Sequence, residues 1–184
     1  MGEETRRSCD ANLEVSENRG LCAVPKSDAE LNRFSYLKGK GELVSPYPGL
    51  FASADVWERL LPSQRARRVM RTLGRIHADW LFVGPSAAIV HDLAIPPSAM
   101  WPLCIAKVGS GTCKGTSLTR RTRVQACEVV VLDGMRVTTI DQTAVDCMRQ
   151  LPFAAALSVA DSYLRTTNQT RECLEELVKP ARMG

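Results

Sequence analysis

A chain of 184 residues, 45% hydrophobic and 24% charged, has an ordinary globular composition, enough for one good domain or a small one joined to a medium one. No apolar run approaches the ~18–20 residues that span a bilayer, and the polar opening MGEETRRSCDANLEVSENRG lacks a signal peptide's apolar core, so a cytoplasmic protein without membrane contact is expected. Residues 1–75 hold 13 basic and 10 acidic groups, 76–127 hold 5 and 2, and 128–184 hold 6 and 8, which leaves the first two-thirds able to meet a polyanion.

In chain order, residues 1–20 offer few apolar anchors and read as a flexible tail. Ser27 and Glu30 then form a Ser-x-x-Glu capping box that starts a helix near Asp28. Leu31, Phe34 and Leu37 define its buried side, and Gly39 and Gly41 end it. ELV, the turn SPYPG and LFA follow as a short β-hairpin. Helix followed at once by hairpin is the second half of a winged helix-turn-helix, so residues 21–56 are expected to form a small winged-helix-like unit. Asn32, Arg33, Tyr36, Lys38 and Lys40 lie on or just past that helix. Asn and Arg read adenine and guanine edges, and Tyr, Lys and Arg hold phosphates, which makes this face a candidate contact for double-stranded DNA.

Residues 57–184 read as a mixed α+β body, making the whole chain α+β. LPSQRARRVMRTLGRIH is amphipathic: Ala66, Val69, Met70, Leu73 and Ile76 recur with helical period, and Arg67, Arg68, Arg71 and Arg75 fall opposite them. Four arginines at one angle repel one another, and an acidic partner relieves that. WLFVG and PLCIAKV read as strands flanking a short helix, and residues 109–119 as a Gly/Ser/Thr-rich loop. Arg120, Arg121 and Arg123 add charge in a loop or strand edge. Asp133-Gly134 sits between two strands as a hairpin signal. Helices over 141–150, 152–165 and 170–178 complete the chain.

Catalytic signals are weak. Asp141 and Asp146 are five residues apart and project ~140° away from each other on a helix, whereas an acid–base pair or a metal site must converge. Asp141 fits a capping role at the helix start, Asp146 is within reach of Arg149 or Gln150, and Asp161 precedes Arg165 in the favourable acid-before-base order. GSGTCKGTS places Lys-Gly-Thr where a phosphate loop needs Gly-Lys-Thr. Seven cysteines without a C-x-x-C pair and only two histidines, His77 and His91, fit neither a disulfide framework nor structural zinc. No enzyme activity, cofactor or metal is expected, and His91 beside Asp92 reads as a structural histidine.

The order GELVSPYPGLFA, RARRVMRTLGRIH, GPSAAIVHDLAIP, VVVLDGMRVTTIDQTAVDCMRQLPFAAALSVADSYLR and TRECLEEL resembles the AbiEi-type antitoxins of type IV toxin–antitoxin systems, most closely their actinobacterial branch, over residues 21–178. The resemblance implies a winged-helix end that binds its own operator and an α+β antitoxin domain, often paired with a nucleotidyltransferase toxin. By position it makes 31–39 and 42–52 the DNA-contacting unit, and Thr143 with Asp146, and Asp161 to Arg165, scaffold signature residues. The branch often carries a restriction-endonuclease-like domain, which residues 1–184 are not expected to contain. A protein-interaction scaffold without DNA binding, or the regulatory half of such a nuclease, are the alternatives.

Overall fold

The structure is a computed structural model and describes residues 3–107, 116–123 and 127–179, without the side chains of residues 107, 122 and 123. The glycine-rich stretch 109–115 with Cys113, and the Arg123 side chain, lie outside the described residues. The chain divides into two compact units, Met1–Leu73 and Gly74–Gly184, each mixed in helix and strand. The division therefore falls inside the arginine-rich helix and not at 56/57.

In the first unit the expected tail is instead a helix, α1 (Glu3–Asn18). Cys9 and Asn12 are buried on it, and Leu13 packs against the unit's core. These positions recur at three and four residues, which is helical spacing, but a buried asparagine hides the stripe from a reading of apolar residues. Gly20, at φ +64°, closes α1. The Leu21 N–H reaches Ser16 O at 2.8 Å and the Gly20 N–H reaches Glu17 O at 2.9 Å, the paired bonds of a Schellman cap.

Helix α2 (Asp28–Gly39) begins as expected, with Ser27 Oγ accepting from the Glu30 N–H at 3.2 Å. The reciprocal half differs. Glu30 is buried, and its carboxylate accepts from Ser8 Oγ at 2.7 Å, Asn12 Nδ2 at 3.1 Å and the Lys26 N–H at 2.8 Å. Glu30 thus takes the inward place expected of Leu31, which is 41% exposed.

The hairpin is β1 (Leu43–Tyr47) with β2 (Leu50–Ser53), antiparallel, in register Leu43↔Ser53 and Tyr47↔Leu50. Pro46 falls within the irregularity between Val44 and Tyr47, where a missing N–H is tolerated. Ala23 adds a third rung through two backbone bonds with Phe51, at 2.7 and 2.9 Å. Cys9, Ala23, Phe34, Leu37, Leu43 and Phe51 form the core, with the Phe34 and Phe51 rings 5.1 Å apart. A short helix α3 (Ala54–Arg59) and then α4 (Pro62–Ile76) follow.

The second unit carries a five-stranded mixed sheet in the order β5-β4-β3-β7-β6. Its strands are β3 (Leu81–Phe82), β4 (Leu103–Lys107), β5 (Thr119–Arg123), β6 (Val129–Leu132) and β7 (Met135–Thr138). Asp133 and Gly134 both take positive φ between β6 and β7, as an Asp-Gly hairpin requires. β5 pairs in parallel with β4 at the sheet's edge, and its exposed Arg120 and Arg121 suit an edge that must not recruit another strand. Helix α5 (Gly84–Val90) is buried along its whole length. Helices α6 (Ile140–Gln150), α7 (Phe153–Thr167) and α8 (Arg171–Val178) pack on one another, with Tyr163 fully buried. Among the described residues, no helix is long and apolar enough to cross a membrane.

Candidate nucleic-acid interface

On α2 the buried arc is centred on Glu30, Phe34 and Leu37. At about 100° per residue, Asn32 projects nearly opposite that arc and Tyr36 lies about 40° from Asn32. Asn32 is exposed and Tyr36 is 50% exposed. Arg33, nearer the buried arc, is half-buried, with Cζ 5.6 Å from the Tyr36 ring centroid. Lys40, one residue past the helix, places Nζ 4.9 Å from the same ring. Hydrogen bonding to Tyr36 and the charge of its phenolate raise the Lys40 ammonium above its ordinary value. Both cations therefore lie against the ring, and among the described residues Arg33 Nε is buried with no hydrogen-bond partner. Arg33 and Lys40 come together at Tyr36, and Asn32 shares the exposed side of the helix with it. Lys38 does not, because it lies beyond Leu31 on the other flank of the helix, about 140° from Arg33.

The arginines of α4 depart from the single solvated face that periodicity predicts. Arg68 is 6% exposed, donating from Nε to Leu21 O at 3.0 Å and from Nη2 to Glu17 O at 3.4 Å. It braces the end of α1 and cannot face a duplex. The reason is that the last turn of α1 and the chain just after it, where a tail was expected, lie against that side of α4. Arg67 and Arg71 are half-buried and line a pocket of about 330 Å³ together with Glu17, Gly20, Leu60 and Arg68. Arg75 alone of the four is exposed.

The acids of the second unit each have their own structural setting. Asp141 is not the cap of α6; Thr139 is, with Oγ1 accepting from the Gln142 N–H at 3.4 Å. Asp141 instead accepts from the Tyr163 hydroxyl at 2.7 Å. Burial first, and then that bond and the Asp141 charge, push the Tyr163 phenol up to about 12. Asp146 accepts from Gln142 Nε2 at 2.8 Å, not from Arg149 or Gln150. Burial raises its carboxyl, and the Gln142 bond and the Arg149 charge only partly offset this. Arg165 Nε donates to the backbone carbonyl of Asp161 at 3.3 Å, so this pair does not meet through its side chains. Thr143 is buried against Thr138, Oγ1 to Oγ1 at 2.8 Å, while His91 Nε2 donates to Thr138 O at 2.7 Å, the structural role expected of that histidine.

Two groupings have no signal in the sequence. The Ser8–Asn12–Glu30 network joins helices across a loop. His77, Asp79, Trp80 and Arg121 line a pocket of about 210 Å³, with the His77 ring stacked 4.1 Å from Trp80 and Arg121 Cζ 5.8 Å from the same ring. The first is set by helix packing and the second by the parallel β4–β5 register, and neither leaves a periodic trace. Among the described residues no three His, Cys, Asp or Glu side chains are grouped to hold a metal ion. The sequence matches no protein-family model and no curated protein.

Proposed function

We propose that this protein is a DNA-binding regulator of the antitoxin type, with α2 entering the major groove and the β1–β2 hairpin as the wing. The observation that carries the reading is the exposed Asn32–Tyr36 face with Arg33 and Lys40 gathered on the Tyr36 ring. Asn32 has the amide fork that pairs with an adenine edge, and Arg33 has the guanidinium fork that suits guanine or phosphate. Tyr36 and Lys40 supply phosphate contacts. Arg33 Nε, buried without a partner among the described residues, gains one when an anion arrives. The AbiEi-type resemblance gives the same assignment for the helix and the hairpin, and extends it to autoregulation and to neutralising a nucleotidyltransferase-type toxin.

The test is a mobility-shift assay on the duplex upstream of the protein's own reading frame, at two salt concentrations, with Asn32→Ala alongside. The reading expects binding that weakens with salt, and a loss of about 1–3 kcal/mol of sequence discrimination in the variant. No shift on any duplex, or identical specificity in Asn32→Ala, contradicts it.

A second reading, a protein-interaction scaffold, draws on the second unit. A groove of about 630 Å³ there is walled by Pro85, Pro96, Trp101, Pro102, Leu151 and Pro152, and the next residue, Phe153, is 82% exposed. An exposed aromatic beside an apolar groove is the composition of an interface core. Loss of toxin capture in Phe153→Glu, with DNA binding intact, favours that reading for this unit.

A further inference from the structure

Prolines shape the groove of the second unit. Pro85 lies in the first turn of α5, Pro96 and Pro102 flank the stretch containing the short turn Pro97–Ala99, and Pro152 precedes α7. Each stands at the start of an element or outside one, where a missing N–H is tolerated. Between these element ends lies a concavity of about 630 Å³, the size of a small-molecule site. Trp101 and Leu151 complete its apolar wall, and Phe153 does not line it.

Charge enters the groove at one place. β5 runs parallel to β4 with Arg120 level with Cys104, so the two side chains leave the sheet on the same face. Cys104 is buried there, with Sγ 3.7 Å from Pro102 O, while Arg120 is exposed at the edge. Burial raises the Cys104 thiol, and the Arg120 charge partly offsets this, as a cation near the sulfur does. Both residues line the groove, and among the described residues that do so Arg120 is the one charged side chain. The other polar groups of the lining are neutral. The Gln150 amide lies near Gly84, where a Cβ would come 3.6 Å from Gln150 Oε1, and the Ser158 hydroxyl donates to Ala154 O at 3.0 Å.

From this arrangement we infer that the groove is a binding site for a small monocarboxylate with an aromatic body. The single guanidinium decides the anion. Its fork pairs with both oxygens of one carboxylate, and one negative charge matches the one positive charge of the lining. A phosphate monoester would bring further charge with no second cation in the groove to meet it. The proline rings and Trp101 decide the body, because they offer flat apolar faces to a ring of the ligand. Neither the α2 face nor Phe153 takes part, so the site is separate from the duplex contact and from the scaffold surface.

The experiment is calorimetric titration of the full chain with naphthoate. Naphthamide serves as the neutral isostere, and acetate as the anion without a ring. Two variants at exposed positions accompany it: Arg120→Gln removes the cation, and Ser158→Trp places a bulky ring at the groove wall. Circular-dichroism melts check that each remains folded, and the comparison of naphthoate with naphthamide in the parent decides the matter if they do not. Saturable one-to-one binding of naphthoate is expected, at least about tenfold tighter than that of naphthamide, with acetate giving only the heats of sodium chloride. In Arg120→Gln naphthoate should fall to the level of naphthamide, while naphthamide itself is unchanged. In Ser158→Trp both should weaken. Absence of saturable binding, or naphthamide held as tightly as naphthoate, overturns the inference, the latter marking a merely apolar groove. Naphthoate binding undiminished in either folded variant, or equal losses of both ligands in Arg120→Gln, overturns it too. The titration contains no DNA, so its failure and the failure of the duplex-binding proposal are read separately.

Discussion

The first unit joins its leading helices through a charge, and the second joins β7 to α6 through neutral hydroxyls. Between α1 and α2, one buried carboxylate, Glu30, gathers Ser8, Asn12 and the Lys26 amide. Where β7 turns into α6, Thr138 and Thr143 share a buried bond and His91 takes the remaining carbonyl. Both arrangements satisfy buried polar groups, but only the first is built on a carboxylate. The difference teaches that similar hydrogen-bond counts can give two units different responses to acid.

Removing the carboxylate is the strongest way to break the contrast. Glu30→Ala leaves three donors without their acceptor, and an effect of about 3 kcal/mol is expected. Hydrogen exchange checks it, through an approximately 100-fold loss of protection in the α1 amides and little change in the second unit. Equal loss in both units would erase the comparison.

Acid titration sharpens it. Burial by itself raises the Glu30 carboxyl, but the bonds from Ser8, Lys26 and Asn12 and the Lys26 charge outweigh burial and hold it below its ordinary value. A depressed folded pKa means that the stabilisation is fully present above the unfolded pKa of about 4.3 and is lost as pH falls through the folded value. The α1 amides should therefore lose protection in acid in the parent, and Glu30→Gln should abolish that dependence. A parent whose α1 protection is flat below pH 4.5 contradicts the assignment.

Smaller effects belong to the second unit. Thr143→Val keeps the shape but strands the buried Thr138 hydroxyl, for an expected loss of about 2 kcal/mol in urea unfolding, the same at pH 4.5 and pH 7.5. Asp146 has the opposite sign to Glu30: its raised carboxyl pKa means that ionisation opposes folding as pH rises through the unfolded and then the folded value. Asp146→Asn should be neutral or slightly stabilising at pH 7, within about 0.5 kcal/mol, and the gain should vanish in acid. A marked destabilisation would show that the Asp146 carboxylate does more than accept from Gln142.

What was legible in the sequence follows from the same contrast. The α+β class, the Ser27 cap, the hairpin at Pro48-Gly49, the Asp133-Gly134 turn and the three closing helices rest on apolar period or on turn residues with fixed backbone demands, and each appears in the structure. Helix α1 was not legible, because Asn12 occupies a core position and its satisfaction depends on Glu30, eighteen residues away. The arginine face of α4 was misread for a linked reason. Amphipathic period shows which side of a helix is apolar, and not whether a second element covers the polar side. Of the expected DNA contacts, Arg33 and Lys40 lie against the Tyr36 ring and Asn32 is exposed on the same side of α2, while Lys38 is on the other flank and Arg68 belongs to the fold.

The most direct test of the central proposal, that the cations around Tyr36 meet duplex phosphate, is the salt dependence of binding. Fluorescence anisotropy on the upstream duplex would give the slope of log K against log salt for the parent and for Lys40→Gln. The variant is expected to bind more weakly, with a slope less steep by about 0.9 for the one phosphate contact removed. An unchanged slope in Lys40→Gln, or no saturable duplex binding by the parent, contradicts the account.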